Sequence, residues 1–419
     1  MTVLRNVGIL ATATGVSQLV SFAVAPLLSR LFHPEEFGVV GVFLALAGVL
    51  GVAACLRLDL AVVVPSDEDD AFDVFLVAVL ATVAMVGVTA VVVTFAGNPL
   101  ASLLGDDRVA ALLPYLPVYI GAVGVFRALN YWSTRSDRFG RIAGANVMRA
   151  ITTAGLQLGL GAMALGSRGL LFGYVAGQVV AALVLALDSM RSQAKSLGRA
   201  LAWSRVRGLV AKYRDFVLYG APQAVVNSVN QGLPAVILTA TFGAGVAGLY
   251  LMAHRLVAAP IGLVGHSTRQ VLYPRLSRAQ DEGNLFPLAL RATTTLALAA
   301  VVPTVVAVVF APDLLVWLLG PRWELAGTFS RYLIPWLAVG FVNIPSVTMI
   351  PLLEMQRWHA AYEIVYVLAR VAALVLGARG GDPVVAIAAF SAVGVLFNTV
   401  LIVAPMLRAR AAAMRPRIA

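Results

Sequence analysis

The stretch FGVVGVFLALAGVLGVAACLRLDLAVVV, Phe37 to Val64, decides the class of this chain. Nothing in it is charged before Arg57, so it is long enough to cross bilayer hydrocarbon as an α-helix and too apolar to cover a soluble surface. Arg57 and Asp59 then stand close together near its end. An ionisable residue at bilayer depth costs at least about 2.5 to 3.5 kcal/mol on insertion scales, so such residues pair, line a cavity or carry function. Arg57 can partly snorkel toward the end of the run at Pro65, whereas the short side chain of Asp59 snorkels poorly.

Runs of this kind recur throughout the 419 residues, of which 60% are hydrophobic and 12% charged, with a mean hydropathy of +0.89. That balance leaves too little polar surface to close around a soluble core. Twelve runs are predicted as membrane spans. They are Val7 to Leu31, Phe37 to Val64, Phe72 to Ala96, Val109 to Ser133, Ile142 to Leu165 and Leu170 to Leu187, then Phe216 to Phe242, Val246 to Leu272, Leu285 to Phe310, Phe329 to Leu353, Ala361 to Ala378 and Pro383 to Leu407. The fold class is therefore all-α and polytopic. The first run lacks a small-residue cleavage site and continues into Arg30, so it is expected to remain as a span rather than be removed as a signal peptide. With one cysteine, Cys55, no internal disulfide is available, and the four histidines lack metal-ligand spacing. No cofactor or metal is expected.

Cations set the orientation. With the amino terminus inside, the inner segments hold Arg5, then Arg135, Arg138 and Arg141, a cluster from Arg191 to Arg214, Arg275 and Arg278, Arg357, and Arg408 to Arg417. The outer segments hold Arg108, Arg168, Arg322 and Arg379. Both termini are expected in the cytoplasm, with the chain in the cell membrane. The net charge of +11 then needs only membrane lipid headgroups as its partner, and no nucleic acid.

The stretch 191–214 separates two sets of six spans, giving an amino-terminal lobe 1–190, a carboxy-terminal lobe 215–408 and a cytoplasmic tail 409–419. Leu197, Leu201, Val206, Leu209, Val210 and Tyr213 fall near one helical face of it, with Arg199, Arg205 and Lys212 away from that face. It reads as an amphipathic interfacial helix, with a flexible basic linker as the alternative. Landmarks repeat between the lobes at a shift of about 210 residues, Phe37-Gly38 on Ala247-Gly248 and Pro65 on Pro274 among them, as a parallel duplication requires.

No enzyme motif is present: no phosphate-binding glycine loop ending in Lys-Ser/Thr, no His-Glu-x-x-His and no Gly-x-Ser-x-Gly. The acidic loop Asp67 to Asp70 reads as a solvated turn ahead of a metal or diphosphate site. The informative residues are arginines inside spans: Arg57, Arg127, Arg149, Arg255 and Arg370. A guanidinium fits phosphate bidentately, so several lining one cavity would hold an anionic headgroup. Snorkelling is the alternative for Arg127 and Arg255, and the default for Arg30. In the seventh run Asn227, Asn230 and Gln231 share a helical face, suited either to sugar hydroxyls or to bonds between helices, and Gln18 is its counterpart in the first run.

Two stretches resemble a known family. Ser29-Arg30-Leu31-Phe32-His33-Pro34-Glu35-Glu36-Phe37-Gly38 resembles the Arg-Leu, Pro-Glu-Glu-Phe-Gly signature between the first two spans of polysaccharide biosynthesis proteins, the Wzx-type oligosaccharide flippases. Arg57-Leu58-Asp59-Leu60-Ala61-Val62-Val63-Val64-Pro65 resembles their Arg-Tyr-Glu-Leu-Ala-Ile segment, with Leu and Asp in place of Tyr and Glu. The resemblance implies a MATE-like fold of two six-helix lobes that alternate their opening. Its implied substrate is an undecaprenyl-diphosphate-linked oligosaccharide, moved from the inner to the outer leaflet. A polysaccharide polymerase and glycosyltransferases are the implied partners, and H+ or Na+ the coupling ion, if one is used. On that reading Arg57, Arg149, Arg255 and Arg370 hold the diphosphate, Asn227, Asn230 and Gln231 meet sugar, and Asp59 is a charge partner or coupling group. Similarity to lipid II flippases points to Arg30, Arg57 and Arg255. The alternatives are such a flippase or a cation-coupled MATE-type exporter of small molecules.

Overall fold

The computed structural model describes residues 2–103, 106–193 and 203–414, and among them there is no strand. The helices are α1 (Thr2–Leu31), α2 (Pro34–Ala53), α3 (Leu58–Ala61), α4 (Glu68–Leu103), α5 (Leu116–Arg135), α6 (Phe139–Ala162), α7 (Gly166–Gln193), α8 (Trp203–Lys212), α9 (Ala221–Phe242), α10 (Ala244–Asp281), α11 (Leu285–Leu319), α12 (Glu324–Val342), α13 (Ile344–Met349), α14 (Gln356–Ala378) and α15 (Pro383–Ala413). Among the described residues ten helices are long and apolar enough to cross a membrane, so the chain is a multi-pass membrane protein. The fifth and seventh predicted runs also form long helices, α6 and α9, of 24 and 22 residues, but neither is among those ten. Arg141, Asn146, Arg149 and Gln157 dilute the first, and Gln223, Asn227, Asn230 and Gln231 the second.

Packing divides the chain into two compact units, Met1–Gly248 and Leu249–Ala419. Helix α9 packs along α2 and belongs to the first unit. In the first unit α6 lies against α7 and α1, and α4 and α7 flank α5. Its core holds Phe32, Phe43, Leu116, Ile120 and Leu170. In the second unit α12 is packed between α11 and α15, and α14 lies along α15. Met349 with Met406, and Tyr362 with Leu401, lie at the centres of its two apolar clusters.

Glycines fix the closest crossing. A Cβ on Gly38 would strike the Ala244 carbonyl, and one on Gly248 would strike the Pro34 carbonyl. The start of α10 therefore lies backbone against backbone on the start of α2, as small residues allow. Gly38 closes the family-like signature, and Gly248 is its match in the repeat.

The second run is not one span. After α2 the chain breaks, with Leu56 at φ 50 and Arg57 at φ 61, then makes the single turn α3. Left-handed backbone costs a residue with a Cβ roughly 1 to 2 kcal/mol, so surrounding contacts must hold the break. Around it Leu56, Leu58 and Leu60 each donate a backbone bond three residues back.

The 191–214 segment contains a helix, α8, but its apolar face is taken by protein. Val206, Leu209 and Tyr213 are buried with Ala71, Phe72 and Val74 of α4 and Trp132 of α5. Residues 194–202 of that segment and 415–419 of the tail lie outside the described residues. The acidic loop is likewise not a plain solvated turn. Arg135 donates to the carbonyls of Pro65, Ser66 and Asp67, and Arg205 donates Nε to Asp73 and Nη2 to Asp70, both at 2.7 Å. Hydrogen bonding to Asp73 holds the Arg205 guanidinium above its ordinary pKa.

Candidate functional site

Asp59 is 0% exposed. Its partner is Arg127 of α5, whose Nε and Nη2 both donate to Oδ2, at 3.1 and 2.9 Å. The expected local pairing with Arg57 does not occur, and Arg127 does not snorkel. The αL turn is the reason: it rotates Asp59 toward α5 and leaves Arg57 against Gly220, with its buried Nε making no hydrogen bond. The other carboxylate oxygen, Oδ1, is buried without a donor. Arg127 and Asp59 thus neutralise each other.

Arg149 stands on α6 about 15 Å of helix rise from Phe139. Its setting begins with Gly173 and Gly177 of α7. A Cβ on Gly177 would lie 2.9 Å from the Arg149 carbonyl, and one on Gly173 2.9 Å from the Thr153 carbonyl, so α7 sits tightly on α6. That approach brings Gln178 beside the guanidinium: Arg149 Nη1 donates to Gln178 Oε1 at 3.4 Å. The guanidinium lies over the Phe126 ring of α5, 5.5 Å from its centroid. Among the described residues no carboxylate lies within ion-pair distance of it.

Arg370 of α14 is 8% exposed and sits among rings in the second unit. Its guanidinium carbon is 4.0 Å from the Phe390 centroid, 4.5 Å from Trp336 and 5.1 Å from Tyr366. Trp336 packs edge-on against Phe390 and donates Nε1 to the Tyr366 hydroxyl at 3.2 Å. Gly394 makes room, since a side chain there would strike the indole.

The other predicted residues are placed separately. Arg255 and Gln18 are half-buried on α10 and α1, and Arg30 is exposed at the end of α1. Asn227 and Gln231 are exposed on α9 and make no hydrogen bond among the described residues. Asn230 is half-buried. Sequence reasoning missed Phe126, Gln178, Trp336, Phe390 and the Asp73–Arg205 pair. Gln178 left a signal, as the one amide in the run Leu170 to Leu187.

Fold and site together define a multi-pass helical membrane protein with cations and amides on its less apolar helices. The model of the polysaccharide biosynthesis protein family matches residues 27–326, and the chain belongs to that family. It is 26% identical over 362 residues to the succinoglycan biosynthesis transport protein ExoT of Rhizobium meliloti (strain 1021), covering 84% of this chain and 69% of that protein. Its fold resembles the inward closed conformation of the lipid II flippase MurJ, with a TM-score of 0.74, 13% identity and coverage of 97% and 90% of the two chains. It also resembles an outward-facing multidrug resistance MATE family transporter of the MOP superfamily, with a TM-score of 0.59, 14% identity and coverage of 98% and 96%.

Proposed function

We propose that this protein is a flippase that carries an undecaprenyl-diphosphate-linked oligosaccharide from the inner to the outer leaflet of the cell membrane by alternating access, for surface polysaccharide assembly. Membership of the polysaccharide biosynthesis family supports the saccharide substrate, and the transport protein ExoT is a relative of the same kind. The observation that carries the headgroup chemistry is Arg149, a cation deep in a span whose hydrogen-bond partner is a neutral amide. Arg57, Arg255 and Arg370 join it as diphosphate ligands, and Asn227, Asn230 and Gln231 take the sugar side. Both termini face the cytoplasm, where glycosyltransferases build the substrate, and a polymerase receives it on the far side. The protein moves its substrate without altering it.

Alanine at Arg149 or Arg370 is expected to abolish surface polysaccharide while membrane-inserted protein persists, and depletion is expected to accumulate one lipid-linked oligosaccharide. Normal polysaccharide in both variants overturns the site. Accumulation of lipid II, or loss of drug efflux with no accumulated lipid, assigns a different cargo.

A further inference from the structure

We infer that Phe126 and Gln178 in the first unit are positioning residues that hold Arg149 as a cationic donor to an anion. The inference rests on the diphosphate reading above. The ring comes from the helix before the arginine helix, α5, and the amide from the helix after it, α7.

The chemistry of these partners is selective. A carboxylate beside a guanidinium cancels its charge, as Asp59 does for Arg127. An amide oxygen or a ring face orients the guanidinium and leaves its charge in place. Gln178 uses one donor of Arg149, and the others have no protein acceptor among the described residues. Gln178 is 5% exposed, so its carbonyl cannot turn to water and stays aimed at Arg149. Glutamate has the same shape and would remove the site's charge.

The test measures binding of farnesyl diphosphate to the purified full chain in detergent, with farnesol as the uncharged probe and melting temperature as the check on folding. Gln178→Glu is expected to weaken farnesyl diphosphate binding roughly tenfold or more by cancelling the guanidinium charge, and Gln178→Met, which removes only the acceptor, by a smaller several-fold factor. Phe126→Leu is expected to weaken binding several-fold as well, an independent reading should Gln178→Glu not fold. Gln178→Glu or Gln178→Met binding as the unaltered chain does, or Phe126→Leu doing so, overturns the inference. Equal binding of farnesol and farnesyl diphosphate by the unaltered chain overturns the diphosphate reading as well.

Discussion

Asp59 accepts both hydrogen bonds from Arg127 on a single oxygen, at a site with no exposure on the carboxylate side and 22% on the arginine side. The pair joins α3, which directly follows the strained turn at Leu56 and Arg57, to α5. It acts as the clamp that keeps that turn in place.

Arg127→Ala is therefore expected to leave a buried carboxylate with no donor and to cost about 3 to 5 kcal/mol. Thermal unfolding of purified protein reads this as a large drop in melting temperature. The double variant Asp59→Leu with Arg127→Leu should recover most of the loss, because an apolar pair needs no desolvation offset. A melting temperature unchanged by Arg127→Ala would remove the clamp from the account.

The backbone contact of Gly38 with Ala244, and of Gly248 with Pro34, leaves no space for a methyl group. Gly38→Ala and Gly248→Ala are each expected to destabilise by about 1 to 3 kcal/mol through overpacking. Gly144 of α6 has no atom within 4 Å of where its Cβ would be, so Gly144→Ala should be neutral or gain up to about 1 kcal/mol of helix propensity. The same melting measurement separates the two classes.

Arg205 fastens α8 to the side chain of Asp73, which is 2% exposed and has its second oxygen buried without a donor. Removing Arg205 leaves that carboxylate unsatisfied beneath the helix, and lifting α8 lets water reach it. In a Cys55→Ser background, a cysteine replacing the buried Leu209 is expected to react with a polar thiol reagent several-fold faster when Arg205→Ala is added. Arg214→Ala, which removes an exposed charge, should leave the rate unchanged. Equal rates in all three would mean that apolar contact alone seats α8.

Long apolar runs such as 292–310 were legible as helices, because nineteen successive uncharged residues have few alternatives in a membrane. The polar character of α9 was legible in Gln223, Asn227, Asn230 and Gln231. What sequence spacing concealed was the choice of partner. Arg57 and Asp59 look like a pair when the backbone is assumed helical, and a left-handed turn built from two residues with side chains has no glycine to announce it. Asp73 and Arg205 are 132 residues apart, and only the packing of α8 on α4 brings them together. The role proposed for Phe126 was hidden because an aromatic residue in an apolar run looks like ordinary core.

The separation of 68 residues between Asp59 and Arg127 also bears on how the protein is made. When the ribosome has delivered α2 and α3 to the membrane, the residue that will compensate Asp59 has not yet been synthesised. Until α5 emerges, its solvation cost is expected to hold the carboxylate at the polar interface. The predicted span that carries Asp59 is thus expected to reach its final depth only after the fourth, which carries Arg127, has been made.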